Sequence, residues 1–480
     1  MTNQAPELLL RIRRADGAPP LGRQVEAGLR EAIRGGRLAQ GSRLPATRAL
    51  AADLGISRRL VVEAFEQLQA EGWLTARVGS GTYVRRANSS GPGGPVARPP
   101  GLRSRHTPRT RPRFDFFPGH PDLAAFPRRE WARLTREALR ELPDWALGYG
   151  NPCGYRELRQ ALASYLARVR GIVCEPRQVV ICQGAAQALG LVVGAVGDGT
   201  RAVRVAVEDP YLPEHREVLE HAGADVVPVP VDEHGVRDEA VSRARARLVL
   251  VTPAHQVPTG AVLAAGRRAA LAAWAEREDA LIIEDDYDAE YRFDRAPVGA
   301  LQALAPDRVI SLGSASKTLA PALRLGWMVV PDAHLSAVAQ AKRYADAGSP
   351  VLDQAAFARM LTSGAYDRHV HRVRRRQRER RNALVAALAR HLPAARVSGI
   401  AAGLHAIVNL ERPVYSAELI SASLARGVEV YPLNLWRADP PPETSAVVLG
   451  YGSLHPDAID VGIERFADAW REITSRRQGA

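Results

Sequence analysis

The chain has 480 residues, 46% of them hydrophobic and 24% charged, which excludes a mini-protein, a wholly disordered chain and a fibrous repeat. Its net charge is +13, and almost all of it is N-terminal: residues 1–86 carry 14 Arg against 8 Asp and Glu, residues 87–113 carry 6 Arg and no acid, and the rest is nearly neutral. A small basic module ahead of a large neutral one is suited to a polyanionic partner.

Within the first module, Leu21, Val25, Leu29 and Ile33 recur every four residues and predict an amphipathic helix that Gly35-Gly36 stops. A second helix is expected over Thr47–Leu54, ending at Gly55. Ser57 then caps a third, whose apolar face is Val61, Phe65 and Leu68. Trp73-Leu74-Thr75 and Thr82-Tyr83-Val84 flank ARVGSG and predict a hairpin. Three helices and a hairpin make a winged helix-turn-helix, here residues 1–86. Its recognition helix would present Ser57, Arg58 and Arg59 to base edges, where Arg favours guanine. Arg43 and Arg48 would hold phosphates, and Arg77 with Gly79 would form a wing along the DNA backbone or in the minor groove. Residues 21–84 resemble the GntR-type winged helix, with LPATRALAADLGISRRLVVEAFEQLQAEGWL and GSGTYV in that family's places. The recognition helix departs from the usual Ser-Arg-Asn-Thr, reading Ser57-Arg58-Arg59-Leu60.

Residues 87–113, rich in Gly, Pro, Ser and Arg, read as a linker. From residue 114 apolar strands alternate with helical stretches. Strands are expected at Val179–Ile181, Val203–Val207, Val226–Val231, Leu248–Val251, Ala280–Ile283, Val309–Leu312 and Met328–Val330. The pattern is α/β with a largely parallel sheet, whose site should lie at the strand C-termini. A large part is expected over about 140–365, and a long helix with a smaller mixed part over about 375–480. Residues 368–381, RHVHRVRRRQRERR, hold eight Arg; they read as a solvated helix face, with a second DNA-backbone contact as the alternative.

The chain has two lysines, Lys317 and Lys342, so any lysine chemistry has two candidates. Lys342, in VAQAKRYAD, reads as a solvated helix position. Lys317, in GSASKTLAPALRLGW, follows a buried strand among small residues. Pyridoxal 5'-phosphate (PLP) chemistry needs such an amine, a carboxylate opposite the pyridine nitrogen and a phosphate cradle at a helix start. Asp285 and Tyr287 end a strand, Ser314 and Arg324 can take phosphate, and Gly184-Ala185-Ala186 opens an apolar helix after a strand. Cys153, Cys174 and Cys182 have neither metal nor redox spacing, no run approaches the ~20 apolar residues of a membrane span, and no signal peptide is evident. A cytoplasmic chain without a membrane partner is expected.

YGNPCGYRELRQALASYL, TPAHQVPTG, IIEDDYDAEYRF and SASKTLAPALRLGW resemble the type I aminotransferase fold, and more closely the aminotransferase-like domain of MocR-type regulators. The resemblance implies that Lys317 carries PLP as a Schiff base, Asp285 holds the pyridine nitrogen, Tyr287 faces the ring oxygen, and Ser314 and Arg324 bind phosphate. Tyr149 would reach the phosphate of a second copy, which implies a homodimer. Tyr211 would stack on the ring, although EDPYLPEHR sets it one position early and leaves Leu212 as the alternative. Val257 stands where tyrosine is common. Val448 replaces the arginine that clamps a substrate carboxylate in transaminases, and Arg437 is the remaining candidate. The function implied is a PLP-binding transcriptional regulator acting on operator DNA and sensing PLP, an amine or an amino acid. The alternative, a PLP-dependent aminotransferase with an accessory DNA-binding domain, is weakened by Val448.

Overall fold

The computed structural model describes residue 10 and residues 12–15, 17–77, 79–85, 112–197, 199–293, 298–399 and 401–478. The expected linker lies outside these, apart from Pro112 and Arg113. Chain contacts divide the protein into two compact units, Met1–Thr107 and Pro108–Ala480.

In the first unit, α1 (Leu21–Arg34) buries Val25 and Leu29 of the four-residue series together with Ala32, while Leu21 and Ile33 at its ends are half-buried. The α2 helix (Thr47–Leu54) ends on Gly55, whose φ of 61° is the left-handed turn that glycine accepts readily. Ser57 caps α3 (Arg58–Ala70), its side chain accepting from the backbone N–H of Leu60. Val61, Phe65 and Leu68 join Val25, Leu29 and Leu50 in one core. Strands β1 (Leu74–Arg77) and β2 (Gly81–Val84) form the hairpin. A third segment, not foreseen, lies along it: Leu44 N–H donates to Thr82 O, and Val84 N–H donates to Ser42 O.

The second unit begins with β3 (Phe114–Asp115), α4 (Arg128–Glu141) and α5 (Arg156–Arg170). Then follow β4 (Val179–Cys182), α6 (Ala185–Val196), β5 (Val203–Asp209), α7 (Pro213–His221), β6 (Ala224–Asp232), β7 (Gly235–Val236), α8 (Asp238–Ala244), β8 (Leu248–Val251), α9 (Ala265–Arg277), β9 (Leu281–Asp285), β10 (Val309–Ser314) and β11 (Gly326–Val329). All seven expected strands form, and they share one eight-stranded sheet in the order β4-β11-β10-β9-β8-β5-β6-β7. Pairing is parallel from β10 across to β6; β11 and β7 run against their neighbours. Strands such as VVIC and LVLV are buried at every residue because helices cover both faces.

Helices α10 (Asp332–Asp346), α11 (Val351–Thr362) and α12 (Ala365–His391) lead to the smaller part. There β12 (Arg396–Ser398), β13 (His405–Tyr415), α13 (Ser416–Leu424), β14 (Val428–Glu429), β15 (Tyr431–Pro432), β16 (Glu443–Gly450) and α14 (Pro456–Gln478) build a four-stranded sheet, order β12-β13-β16-β15. This part is not purely C-terminal: β3 pairs with β14, and Phe114 and Phe116 enter its core.

The arginine run is only partly a solvated face. Arg368, Arg372 and Arg375 are exposed. Arg376 and Arg378 are exposed too but have partners: Arg376, with the buried Arg380, approaches the buried Asp122 at 2.8 and 3.0 Å, and Arg378 donates to Phe293 O at 2.6 Å. Lys342 corrects the sequence reading outright. It is fully buried, and its Nζ bonds both oxygens of Asp346 at 2.6 Å. The i, i+4 spacing of Lys342 and Asp346 is the signal that foretells such a pair. Among the described residues, no helix is long and apolar enough to cross a membrane, and no group of His, Cys, Asp and Glu is arranged to hold a metal.

Candidate functional site

A cavity of about 250 Å³ opens where the parallel strands end. Its walls include Asp285 from the end of β9, Ser314 from the end of β10, and Lys317, Arg324 and the Gly184-Ala185-Ala186 start of α6. Strand C-termini point their side chains here because each parallel strand ends before a crossover loop.

Burial dominates the electrostatics. Desolvation lowers the Lys317 amine below the ordinary lysine range, against the attraction of Asp288 and Asp285. Its Nζ donates to Gly119 O at 2.8 Å. A lowered amine is the form that reacts with a carbonyl. Asp285 is 5% exposed, and burial pushes its carboxyl up to about 6. Tyr211 OH donates to it at 3.0 Å. Burial holds His215 down at about 4, and its Nδ1 lies 3.7 Å from Asp285. Tyr287 OH meets His255 Nδ1 at 3.0 Å, and that nitrogen also lies 2.9 Å from Asp288.

The cradle is shaped by close backbone approach. Gly184 caps α6 at a φ of 94°. A side chain on Gly326 of β11 would bring its Cβ to 2.8 Å from Gly184 Cα, so this crossing needs a bare backbone. Arg324 hydrogen-bonds Gln183 O from one side. From the other, Gln187 Oε1 accepts from Gln183 N at 2.8 Å, while its Nε2 donates to Asp346 at 2.8 Å. The buried Lys342, through its half-buried partner Asp346, thus anchors the turn that opens α6. A phosphate fits this donor set: free N–H groups at a helix start, Ser314 and the guanidinium of Arg324. A pyridine ring with a protonated nitrogen fits Asp285, and an aldehyde fits Lys317.

The structure therefore brings together Lys317, Asp285, Tyr287, Ser314, Arg324, Gly184, Ala185 and Ala186. It does not place Tyr211 in the wall. That residue is fully buried as the donor to Asp285, and Leu212 takes the lining position. Tyr149 is 99% exposed and outside the wall. The sequence reading missed His215, His405, Ser316, Gly119 and Trp436, which also line the cavity. Gly119, His405 and Trp436 come from segments far from any motif, whereas His215 and Ser316 lie inside quoted motifs without a spacing rule to single them out.

On the first unit, Ser57, Arg58, Arg59, Arg43, Arg48, Arg77 and Gly79 are all exposed. Arg58 Nε is 3.5 Å from Thr47 Oγ1, Arg59 pairs with Glu63 at 2.7 Å, and Arg77 lies over the Tyr83 ring at 5.0 Å. Leu60, the departure from the usual motif, is half-buried with its Cδ2 facing Gly22 of α1. Packing, rather than phosphate contact, occupies that position.

Residues 21–84 match the model of bacterial regulatory proteins, gntR family, and residues 125–431 match aminotransferase class I and II. The chain is 35% identical over 478 residues to the probable rhizopine catabolism regulatory protein MocR of Rhizobium meliloti, covering 96% of each. It is 34% identical to the pyridoxine biosynthesis transcriptional regulator PdxR of Corynebacterium glutamicum, covering 93% of this chain and 95% of that one. Among solved structures, a Pyrococcus horikoshii kynurenine aminotransferase superposes with a TM-score of 0.69 at 26% identity, over 76% of this chain and 92% of that one. The α-aminoadipate aminotransferase LysN of Thermus thermophilus, complexed with N-(5'-phosphopyridoxyl)-L-leucine, gives 0.68 at 28% identity, over 75% and 93%. A gntR-family winged helix followed by an aminotransferase domain, matched along nearly the whole length of such regulators, makes this chain a member of the MocR-type transcriptional regulators.

Proposed function

We propose that the chain regulates transcription by binding operator DNA through its winged helix and holding PLP in the cavity of its second unit. The observation that carries this reading is the convergence of Lys317, Asp285, Arg324, Ser314 and the α6 start on one cavity. When bound there, PLP supplies an electrophilic carbon on a ring that draws electrons from an attached amine. Lys317 Nζ is the attachment point. Asp285 keeps a proton on the ring nitrogen, and Tyr211 orients that carboxylate. Tyr287 sits in the wall for the ring oxygen. Ser314, Arg324 and the N–H groups of Ala185 and Ala186 take the phosphate. Tyr149, fully exposed, is offered to the phosphate of a second copy in a homodimer. Arg58 and Arg59 read bases, while Arg43, Arg48 and Arg77 hold the backbone. The protein works in the cytoplasm, and its small-molecule effector acts by changing the balance between arrangements of different DNA affinity.

Footprinting upstream of the protein's own gene, with and without PLP at fixed salt, tests this reading. A specific footprint whose affinity changes with PLP is expected. A footprint indifferent to PLP removes PLP as the signal, and a protein that binds no PLP at all ends the cofactor reading.

A further inference from the structure

We infer that the ligand taken at Lys317 is a primary amine without a carboxylate. The inference rests on the cofactor reading above and names the ligand class of that same site. Val448, the position that the resemblance to transaminases gives to a carboxylate-binding arginine, is fully buried in β16. It packs in the same apolar cluster as Val257 and Trp436, which are part of the cavity wall. Arg437 is exposed and outside the wall. Among the described residues, the wall's lysine and arginine cations are Lys317 and Arg324. The first is the point of attachment. The second is held by Gln183 O at the cradle end.

The two imidazoles in the wall do not make up the deficit. Burial holds both His215 and His405 down at about 4, so both are neutral near pH 7. The charged and titratable groups facing His215 are Asp285, Tyr211, Glu214 and Lys317; those facing His405 are His255, Asp288 and Lys317. A carboxylate entering here would lose its water and gain no guanidinium fork. Leu212, Val257 and Trp436 instead offer apolar contact to the body of an amine. In the exchange, the incoming nitrogen forms the double bond to the cofactor's aldehyde carbon as the bond to Lys317 breaks. The two hydrogens of the incoming neutral amine pass to Lys317 Nζ, so the step needs no oxidant or reductant.

The test uses full-length protein loaded with PLP and titrated, at one pH, with pairs that differ only by the carboxylate: tyramine against L-tyrosine, and isobutylamine against L-valine. Visible absorbance and operator affinity are followed together. In each pair the amine is expected to half-saturate at a concentration at least ~10-fold lower, the size of one lost charge-assisted contact. Equal or tighter binding of the amino acids overturns the inference, as does a lack of response to either amine. Failure to develop any Lys317-dependent absorbance on loading with PLP brings down the cofactor reading instead, and this inference with it. Val448→Arg provides the converse: it should favour the amino acid of each pair, and if it does not fold the wild-type pairs decide alone.

Discussion

The cofactor cavity and the DNA-facing surface hold their charges under opposite conditions. Asp285 is 5% exposed, and its carboxyl is displaced to about 6 by burial. The Arg59 side chain is 86% exposed, and its partner Glu63 is 51% exposed. In the cavity each charge is tied to neighbours: Tyr211 and His215 to Asp285, Gly119 to Lys317, Gln183 to Arg324. On the winged helix the DNA-facing arginines are exposed and their contacts are local: Arg59 with Glu63, Arg58 with Thr47, Arg77 with the Tyr83 ring. Cavity substitutions should therefore act jointly and report on pH and cofactor. Surface substitutions should act separately and report on salt.

The largest effect expected is that of Lys317→Ala. It removes the point of attachment and should lower PLP affinity by at least ~100-fold, as a lost covalent link with its neighbouring hydrogen bonds implies. Affinity for operator DNA in the absence of PLP should stay within about twofold, because ΔΔG values at sites without shared partners add. Absorption titration and gel shift measure the two. A variant that keeps the absorbance of protein-bound PLP would refute the assignment of Lys317.

Asp285→Asn sharpens the same side through pH. A carboxyl raised from its ordinary 3.8 to about 6 gives stability that is fully present below the ordinary value and lost as pH rises through the folded one. Replacing it should stabilise the cofactor-free protein at pH 8 by up to about 3 kcal/mol, at 1.36 kcal/mol per pKa unit. The gain should shrink by pH 5, where the wild-type carboxyl is itself mostly protonated. PLP should reverse the order, since a protonated ring nitrogen rewards the carboxylate and not the amide. Urea midpoints of the cavity-bearing unit at the two pH values check this. An equal gain at pH 5 and pH 8 would mean that burial is not the cause.

On the other side, Arg58→Ala should cost about 1–3 kcal/mol of operator affinity and relax discrimination at one base position. Arg48→Ala should weaken all sequences alike and reduce the salt slope by about one. Neither should change PLP binding. If both variants behaved identically across operator sequences and salt, the division into base-reading and backbone-holding residues would fall.

The sequence made one side of this comparison far more legible than the other. The winged helix depends on local signals, so the α2 boundaries, Gly55 and the Ser57 cap follow from a few neighbouring residues. Seven of the eight sheet strands are equally plain as short apolar runs; the two-residue β7 is not. The cavity is assembled from segments that run from Pro118 to Trp436, and only its motif-bearing parts are legible. Gly119 reaches Lys317 from 198 residues away, and His405 and Trp436 arrive from the smaller part. Tyr211 illustrates the hazard of a motif shifted by one residue. The motif resemblance gives its position along the chain but not its direction, and its hydroxyl turns inward to Asp285. Lys342 misleads for the opposite reason: a charged residue on a helix points to water, yet the carboxylate four residues on neutralises it in the interior.

That lysine supplies the smallest and most selective effect. Lys342 does not touch the cavity, and it acts on the cradle only through Asp346, Gln187 and the Gln183 backbone. Lys342→Met keeps the length of the side chain and removes the charge. Asp346 is then left without its cation, and its hold on Gln187 loosens. The turn that opens α6 should lose definition, and with it the N–H groups aimed at phosphate. PLP affinity should fall roughly 10-fold, about 1.4 kcal/mol, the scale of one hydrogen bond to a charged group. Pyridoxal, which has the same ring and aldehyde but no phosphate, should bind the variant as it binds the wild type. General loosening of the unit would weaken both ligands together. A constant ratio of PLP to pyridoxal affinity across wild type and variant would therefore reduce Lys342 to a residue of the core, whereas a ratio that falls only for PLP would extend the buried, coupled character of the cavity to a lysine outside its wall.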